Sequence, residues 1–456
     1  MANNQPNTVF FIGIGGIGMS ALARYYLANG VKVLGYDKTQ SNLTDALVQE
    51  GAKICFHDEW DEEYPYAIES TLVVYTPAIP GDNNWLNGFR SRGYRVLKRS
   101  EVLGEITRVS KALCVAGTHG KSTTSAMLAY LLKDSPIGCN AFLGAIATNF
   151  GNNFLIDNSS EYAVIEADEY DRSFLTLSPF AAIITNIDPD HLDIYSNEEK
   201  FKEGFRQFAM KINPAGVLLI KEGIKVNSLC KTYSYGINVV NADYNGWNLR
   251  ETVNGACFDL KTPNGIYSNI TIGINGSHNV ENAIAALGIC DFIGLDLNEL
   301  ATKFSGFKGL KRRFEFVYAS DEVVYIDDYA HHPTEINRLI NSVRIMFPNK
   351  KITGVFQPHL FSRTRDFGEG FAEELAKLDD VFLLPIYPAR EEPIQGIDSV
   401  WLLQKIKNPN KWLLNKTNLL DRLRDINGVL LTIGAGDIDR FVLPIKEMLA
   451  INDNTI

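Results

Sequence analysis

The chain has 456 residues and is acidic, with 44 Lys and Arg side chains against 54 Asp and Glu and a formal net charge of −10. This balance argues against a nucleic-acid partner, because a phosphate backbone requires a basic protein face. The six cysteines are scattered without a C-x-x-C pair, so we expect neither a zinc site nor disulfides, as in a cytoplasmic protein. No apolar run reaches the ~20 residues of a membrane helix, so we expect no membrane partner.

The first predicted elements are a strand from Thr8, a glycine-rich turn and a helix from Met19. The glycines of the turn are Gly13, Gly15, Gly16 and Gly18. Their spacing satisfies G-x-G-x-x-G, and Asp37 follows the next strand about twenty residues on, where a ribose-binding acid is expected. Three interpretations stay open: an NAD-type cofactor site, a site for another nucleotide diphosphate, or tight packing of a strand on a helix.

A second glycine-rich loop lies between a predicted strand over 113–116 and a predicted helix over 123–132. Its residues are Gly117, Thr118, His119, Gly120, Lys121, Ser122 and Thr123. Glycines let backbone N–H groups close on phosphate oxygens, and the helix start adds the positive end of its dipole. Lys121 can then reach the terminal phosphates, and Ser122 can ligate Mg²⁺. Val115 replaces the first glycine of G-x-x-x-x-G-K-[ST], so we interpret the segment as a shortened P-loop.

Two acidic segments follow the next two predicted strands. They are Glu166-Ala-Asp168-Glu169 and Asn186-Ile-Asp188-Pro-Asp190-His191-Leu-Asp193. In an open parallel sheet the ligand lies at the carboxyl ends of the strands. Carboxylates beside a phosphate site repel one another unless a cation neutralises them, so the sequence predicts Mg²⁺ there. The alternative is that these acids are helix caps and surface turns.

The segment over 236–274 has turn residues between short alternating strands, which predicts an antiparallel appendage. The helix after it carries His278, Asn279 and Asn282 near its start. Such side chains either read an adenine edge or cap the helix, and both interpretations stay open.

The last third of the chain again alternates strands and helices. A basic run over 307–314 links to it, and is either a solvated face or a hinge whose arginine reaches a phosphate when domains close. The polar segments that follow successive strands include Asp327-Asp-Tyr329-Ala-His331-His-Pro333, Gln357-Pro-His359 and Gly434-Ala-Gly436-Asp437. This alternation predicts a further α/β domain with its polar residues at the strand ends.

Taken in order, these motifs resemble the Mur ligases of peptidoglycan synthesis. The segments that carry the resemblance are Gly13–Ser20, Gly117–Thr123, Glu166–Glu169, Asn186–His191, Gly276–Asn279, Asp327–Pro333, Gln357–His359 and Gly434–Asp437. The resemblance spans essentially the whole chain and implies an α/β fold of three domains. These are an N-terminal Rossmann-like domain over 1–107, a central P-loop ATPase-type parallel sheet over 108–311 and a C-terminal Rossmann-like domain over 312–456.

The resemblance implies a ligase that uses ATP and Mg²⁺ to join L-alanine to the carboxylate of UDP-N-acetylmuramate through an acyl phosphate. The partners would then be these small molecules alone, and the protein a monomer or homodimer. Two alternatives stay open: a ligase that adds a recycled murein tripeptide to the same UDP-sugar, and, in another class, an NAD-dependent oxidoreductase.

The resemblance also implies residue roles. The UDP part of the substrate would contact Gly13, Gly15, Gly16, Gly18 and Asp37. ATP would contact Gly117, Thr118, His119, Gly120, Lys121, Ser122, Thr123, His278, Asn279 and Asn282. The metal ligands would be Ser122, Glu166 and His191, and the amino acid would contact Tyr329, His331, His359 and Arg363. Catalysis would depend on Lys121, on Arg312 or Arg313 at the γ-phosphate, and on His191 or His331 as the base for the amino group.

The chain departs from the family at Leu360, where arginine is common, and at Arg390, where glycine is more usual. We expect Arg390 to compensate for the arginine missing at position 360. Arg390→Gly should then weaken substrate binding.

Overall fold

The computed structural model describes residues 6–60, 66–188, 195, 197–252, 255–389 and 391–453. The chain divides into two compact units, Met1–Gly309 and Leu310–Ile456. The described strands form three sheets, which confirms the predicted α/β class with a largely parallel sheet in each of three domains. The domain boundaries at 107/108 and 311/312 stay predictions. Within the described ranges, no helix is both long and apolar enough to span a bilayer.

The first sheet has the strand order β3-β2-β1-β4-β5, and its described pairs are all parallel. Its strands are β1 (Thr8–Ile12), β2 (Lys32–Tyr36), β3 (Lys53–Cys55), β4 (Thr71–Tyr75) and β5 (Arg95–Lys98). Its helices are α1 (Ile17–Ala28), α2 (Asn42–Gln49), α3 (Asn84–Ser91) and α4 (Arg99–Arg108). Every residue of β1 is buried, as expected of a central parallel strand covered on both faces. The strand order reverses beside β1, so the turn at Gly13 lies at the position where such sheets bind ligands.

The second sheet has the strand order β15-β14-β13-β12-β11-β10-β6-β9-β7-β8. Its strands are β6 (Lys111–Ala116), β7 (Asn140–Ala147), β8 (Asn152–Leu155), β9 (Tyr162–Glu166), β10 (Ala181–Ile184), β11 (Val217–Lys221), β12 (Lys231–Ile237), β13 (Tyr244–Thr252), β14 (Gly255–Thr262) and β15 (Gly265–Ile272). Its helices are α5 (Lys121–Lys133), α6 (Glu198–Met210), α7 (Ser277–Phe292) and α8 (Leu297–Phe304). Strand β6 lies between β9 and β10 and is parallel to both, so the P-loop that follows it is central. Strands β13, β14 and β15 pair antiparallel, which confirms the predicted appendage.

The first two sheets share one hydrophobic core, and a buried polar contact joins α1 to β8. The side chain of Asn153 on β8 donates to the carbonyl of Ile17 at 2.6 Å and to Ser20 Oγ at 3.1 Å. Arg24 donates to Asn153 Oδ1 at 2.6 Å and pairs with Glu50 at 2.8 Å. Because buried polar groups that are fully hydrogen-bonded rigidify a core, this network fixes the start of α1 and the preceding glycine turn on the central sheet.

The sheet of the second unit has the strand order β16-β17-β21-β18-β19-β20. Its strands are β16 (Glu315–Ala319), β17 (Val323–Asp328), β18 (Ile352–Phe356), β19 (Asp380–Leu383), β20 (Lys411–Leu413) and β21 (Gly428–Ile433). Its helices are α9 (Pro333–Met346), α10 (Phe361–Asp366), α11 (Gly368–Leu375), α12 (Ser399–Lys405), α13 (Leu419–Leu423) and α14 (Val442–Asp453). Strand β16 is antiparallel to β17, and the other described pairs are parallel. The polar segments after β17, β18 and β21 therefore lie at one edge of this sheet.

Candidate active site

The loop between β6 and α5 has the strand–turn–helix geometry of a phosphate-binding loop. Gly117 and Gly120 have φ angles of 128° and 84°, which favour glycine. A Cβ on Gly117 would lie 2.1 Å from Thr185 Oγ1, and one on Gly120 would lie 2.8 Å from Asn282 Oδ1. Both positions therefore require glycine. Asn282, one of the predicted ATP contacts, is buried against this loop.

The segment after β10 holds the P-loop in place from the neighbouring strand. The N–H of His119 donates to Asn186 Oδ1 at 2.8 Å, and Thr118 Oγ1 donates to the carbonyl of Asp188 at 2.7 Å. The hydroxyl of Thr185 donates to the carbonyl of His119. These contacts within the protein fix the loop backbone.

Lys121, the first residue of α5, faces a buried carboxylate. Its Nζ lies 2.8 Å from Glu169 Oε2 and donates to the carbonyl of Gly117 at 2.8 Å. The two side chains of the pair are only 14% and 2% exposed. Burial alone would lower the pKa of Lys121, but the carboxylates of Glu169 and Asp168 outweigh burial and raise it. Sequence reasoning placed Glu169 in an acidic cluster and gave it no role, whereas the structure makes it the partner of the P-loop lysine.

Ser122 and Glu166, two of the predicted metal ligands, lie together beside the loop. Ser122 Oγ donates to Glu166 Oε1 at 2.8 Å, and the N–H of Gly144 donates to Glu166 Oε2 at 2.8 Å. A hydroxyl and a carboxylate fit Mg²⁺, which takes few protein ligands and keeps water and phosphate oxygens. Among the described residues, no group of three or more His, Cys, Asp and Glu forms a metal cluster. The third predicted ligand, His191, lies outside the described residues, as does Arg390.

The predicted adenine-side residues occupy the start of α7. The ring of His278 lies close to Gly276, where a Cβ would meet its Cε1 at 2.7 Å. Asn279 Nδ2 donates to the carbonyl of Asn275 at 2.6 Å. Asn279 therefore stabilises the turn before its own helix, whereas Asn282 faces the P-loop.

The first glycine turn contains the predicted acid. Asp37 Oδ2 accepts the N–H of Gly15 at 2.8 Å, and Oδ1 accepts the N–H of Thr39 at 3.1 Å. A Cβ on Gly15 would lie 2.9 Å from Asp37 Oδ2, so this position requires glycine. Gly16 is exposed. A Cβ added to it would have the carbonyl oxygen of Gly13 as its nearest neighbour, at 3.5 Å. The turn thus offers backbone donors and one acid.

Sequence reasoning missed two basic residues at the end of β5: Lys98 is the last residue of the strand, and Arg99, the first residue of α4, lies beside this turn. Arg99 packs on Gly18, where a Cβ would lie 3.1 Å from its Cδ, and its Nη2 is 3.9 Å from Asp168 Oδ2. Lys98 Nζ lies 3.0 Å from Asp171 Oδ2, a hydrogen bond that raises the pKa of Lys98. The signal that could have identified them is their place at the carboxyl end of a parallel strand.

Arg312 and Arg313, predicted as alternatives, have different environments in the second unit. Arg312 Nε lies 3.3 Å from Asp327 Oδ2, and its Nη2 donates to the carbonyl of Gly434. Asp327 is fully buried, and burial raises its pKa to about 6. Arg313 is exposed, with its guanidinium carbon 5.4 Å from the ring centroid of Tyr329. Arg312 is therefore engaged within its own unit, and Arg313 presents its charge at the surface.

His331 lies between Tyr329 and Glu335. Its ring Nδ1 is 3.0 Å from the carbonyl oxygen of Tyr329 and 3.4 Å from Glu335 Oε2. The backbone N–H of His331 donates to the same Glu335 Oε2 at 2.9 Å. Burial lowers the pKa of His331, and the charges of Arg363 and Arg313 lower it further against the opposing effect of Glu335. The imidazole is therefore neutral at neutral pH.

His359 and Arg363, the other predicted amino-acid contacts, follow β18. The rings of His359 and Tyr387 stack with centroids 5.7 Å apart. Glu391 Oε2 accepts the N–H of Ser362 at 2.9 Å and so holds the start of α10, which carries Arg363. The structure thus places Tyr329, His331, His359 and Arg363 at one edge of this sheet, after two of its strands.

Comparisons with known proteins give the same architecture. Residues 8–111 match the Mur ligase family, catalytic domain. Residues 115–290 match the Mur ligase middle domain, and residues 312–437 match the Mur ligase, glutamate ligase domain. Both glycine-rich turns and the polar segments of the second unit fall within these matches.

Individual relatives are similar over their whole length. A UDP-N-acetylmuramate–L-alanine ligase from Porphyromonas gingivalis is 49% identical over 450 residues, which is 97% of this chain and 98% of the relative. One from Parabacteroides distasonis is 48% identical over 98% of each chain. The crystal structure of the UDP-N-acetylmuramate-alanine ligase from Thermotoga maritima has a TM-score of 0.82 and 27% identity, and covers 97% of this chain and 99% of that one.

Proposed function

The chain belongs to the Mur ligase family, and from that premise we propose how its residues carry out the ATP-dependent joining of L-alanine to UDP-N-acetylmuramate, the reaction that it catalyses. The expected ligase activity is confirmed, and the alternative of an NAD-dependent oxidoreductase is wrong. The observation that supports the residue assignments best is the P-loop in which Lys121 and Ser122 each face a carboxylate.

ATP is assigned to the P-loop, with Mg²⁺ beside it. Lys121 would exchange Glu169 for the terminal phosphates of the nucleotide, because both are anionic partners for the same ammonium group. Ser122 and Glu166 would hold Mg²⁺, which supplies positive charge to the phosphoryl group during transfer. Asn282, packed against Gly120, would fix the loop next to the nucleotide.

The UDP part of the second substrate is assigned to the first glycine turn. The N–H groups at the start of α1 can donate to its diphosphate. Asp37 can accept from a ribose hydroxyl. Because the chain is a ligase, we assign the turn to a nucleotide diphosphate and not to NAD.

The amino acid is assigned to the second unit. Arg363 would pair with the carboxylate of L-alanine through its planar guanidinium. Tyr329 and His359 would line its site, and His331 would act as the base for its amino group. Arg313 would supply positive charge to the transferring phosphoryl group, since Arg312 is engaged with Asp327.

The chemistry needs no covalent intermediate on the protein. A carboxylate oxygen of the muramic acid attacks the γ-phosphorus, the bond to ADP breaks, and an acyl phosphate forms. The amine of alanine then attacks the acyl carbon and phosphate leaves. We propose that only these small molecules are partners, that the protein is a cytoplasmic monomer or homodimer, and that charge stabilisation by Lys121 and Arg313 is the main catalytic contribution.

Phosphate release from ATP with Mg²⁺ and UDP-N-acetylmuramate, with L-alanine present or omitted, tests the activity. We expect release that depends on both acceptors, with a product heavier by one alanine residue. Release that requires the murein tripeptide instead of alanine would contradict the proposed acceptor. The absence of release with either acceptor would contradict the proposed reaction.

A further inference from the structure

Glu335 lies in the first turn of α9 and contacts His331, a residue of the proposed amino-acid site. We infer that Glu335 is a positioning residue, which orients His331 so that Nε2 takes the proton from the α-ammonium group of the incoming amino acid. The inference rests on the proposed function and concerns its second step, amine attack on the acyl phosphate.

The hydrogen bonds of His331 determine its tautomer. Nδ1 lies 3.0 Å from the carbonyl oxygen of Tyr329, and a carbonyl oxygen can only accept. Nδ1 therefore carries the proton, and Nε2 carries the lone pair. Glu335 Oε2, 3.4 Å from the same Nδ1, is a second acceptor on the protonated side of the ring. The ring of Tyr329 packs edge-on against the imidazole, with centroids 5.2 Å apart, and limits its rotation.

The groups around His331 have two opposite effects on it. Burial and nearby cations favour the neutral imidazole, and a nearby carboxylate stabilises the imidazolium. The charged or titratable groups that act on it are Glu335, Arg363 and Arg313, with His332 beside the same carboxylate. Burial and the two arginines lower the pKa of His331, so the free base is available at neutral pH. Glu335 and the carbonyl of Tyr329 oppose them, and Glu335 is the one that carries a charge. Without Glu335 the imidazolium formed during proton transfer would face two cations with no counter-ion.

Glu335 also has a structural function that a test must separate from this one. Its Oε2 accepts the N–H of His331, just before α9, and His332 Nδ1 accepts the N–H of Thr334 at 3.3 Å. Both contacts cap the start of the helix. A glutamine side chain can still accept the N–H of His331, so Glu335→Gln keeps the cap and removes the charge.

Amine attack on the acyl phosphate requires two proton transfers from the nitrogen. The α-ammonium group gives one proton to His331 Nε2, and the resulting amine forms a C–N bond with the acyl carbon. The C–O bond to phosphate breaks, and the phosphate leaves with the electron pair and takes the second proton from the nitrogen. His331 then releases its proton to solvent, which restores the starting tautomer.

Glu335→Gln separates amine deprotonation from acyl phosphate formation. At optimal pH we expect alanine-dependent product formation to fall about tenfold, a fraction of the usual contribution of a general base. The acid limb of kcat/KM for alanine should move to lower pH by roughly half a pH unit, because removing the carboxylate lowers the pKa of His331 further. Hydroxylamine, which is largely unprotonated at neutral pH, should trap the acyl phosphate as a hydroxamate at the wild-type rate.

Three results would overturn the inference. These are an unchanged alanine profile in Glu335→Gln, an equal loss of hydroxamate and alanine product, and an acid limb that moves to higher pH. The matched control is Asp421→Asn, an exposed acid in the first turn of α13 of the same unit, which should leave both reactions unchanged. The proposed function itself fails only if the wild-type protein shows no alanine-dependent release.

A measurement on the wild-type chain keeps the test valid if the variant does not fold. The chain has seven histidines, so their ring nitrogens can be resolved by nitrogen NMR. His331, assigned by the signal lost in His331→Gln, should be the neutral Nδ1–H tautomer at neutral pH. An Nε2–H tautomer would contradict the inference, since Nε2 could not then accept a proton.

Discussion

The first unit contains two glycine turns that each lie between a buried parallel strand and a helix, and the carboxylates beside them have different partners. In the turn at Gly13, Asp37 accepts a backbone N–H, that of Gly15. In the P-loop, Glu169 and Glu166 face side chains, the ammonium of Lys121 and the hydroxyl of Ser122. Both turns follow a buried parallel strand and precede a helix, so their position in the sheet does not distinguish them.

We propose that this difference separates substrate binding at the first turn from catalysis at the P-loop. The turn at Gly13 offers backbone donors, with Asp37 and Arg99 beside it, and such a turn can hold a diphosphate. Its own residues, Gly13 to Gly18, include no lysine or hydroxyl that could add charge or a metal to a phosphoryl group in transfer. The P-loop has both kinds of group. Lys121, beside buried Glu169, can supply a cation, and Ser122, beside Glu166, can supply a metal ligand. Substitutions in the P-loop should therefore change turnover, whereas those in the first turn should change the KM for the UDP-sugar.

The largest effect is expected from Lys121→Met. It removes the cation at the terminal phosphates, so phosphate release should fall at least about 10³-fold. It also leaves Glu169 buried without its partner, which should lower the free energy of unfolding by about 3–5 kcal/mol. Steady-state kinetics and chemical unfolding measure the two effects separately.

A double variant distinguishes the two functions of this lysine. Lys121→Met with Glu169→Gln removes the unpaired charge, so stability should return towards wild type while activity stays lost. Lys111→Met removes an exposed lysine paired with Glu161 and should change neither property. Recovery of activity in the double variant would show that Lys121 acts only through its ion pair.

Ser122→Ala should give the second largest effect, through the metal. Loss of the hydroxyl ligand should reduce turnover roughly 10–100-fold at low Mg²⁺, and added Mg²⁺ should restore part of it. The measurement is phosphate release as a function of Mg²⁺ concentration. Ser135→Ala, just beyond the other end of α5, is the control and should keep the wild-type Mg²⁺ dependence. A Ser122→Ala profile that coincides with it would contradict the proposed metal site.

Sequence patterns predicted the two turns because each depends on neighbours along the chain. The buried run of β1, the glycine spacing after it and the helix that follows are local features, and the same holds for β6 and the P-loop. The pairing of Lys121 with Glu169 is not local, since 48 residues separate the partners. The sequence shows that Glu169 belongs to an acidic segment after β9. Its proximity to Lys121, which follows β6, depends on the parallel pairing of β6 with β9.

The arginines of the basic run show a second limit of sequence reasoning. Arg312 and Arg313 are adjacent residues of the same type, and the sequence predicted that one or the other would lie at the γ-phosphate. Arg312 has a left-handed φ of 61°, which directs its chain towards Asp327 and the carbonyl of Gly434. That backbone angle has no signature in a run of basic residues, so the difference between the two became visible only in the fold.

Gly16→Ala should have a smaller effect, limited to the UDP-sugar. An added Cβ has ordinary contacts here, 3.5 Å or more, and Gly16 has the extended φ of −66°, so the fold should not change. The methyl group would occupy the space that a phosphate oxygen needs near the N–H groups, and the KM for UDP-N-acetylmuramate should rise about tenfold. Gly81→Ala, where nothing lies within 4 Å of an added Cβ, is the matched control. A changed kcat with an unchanged KM would contradict the division between the two turns.

The smallest effect is expected from Asp37→Asn. The amide oxygen of asparagine can still accept the N–H of Gly15, and the bond that is lost is the exposed one from the N–H of Thr39, which water can replace. The turn at Gly15 should therefore keep its shape. What is lost is a charged acceptor for a ribose hydroxyl, and the KM for the UDP-sugar should rise about three- to fivefold, as expected for one hydrogen bond. The opposite sign is informative: a lower KM would mean that the carboxylate competes with the diphosphate for the N–H of Gly15. Asp37 would then act as we propose for Glu169, which would give up its partner to a phosphate, and the two turns would differ in the donor group alone.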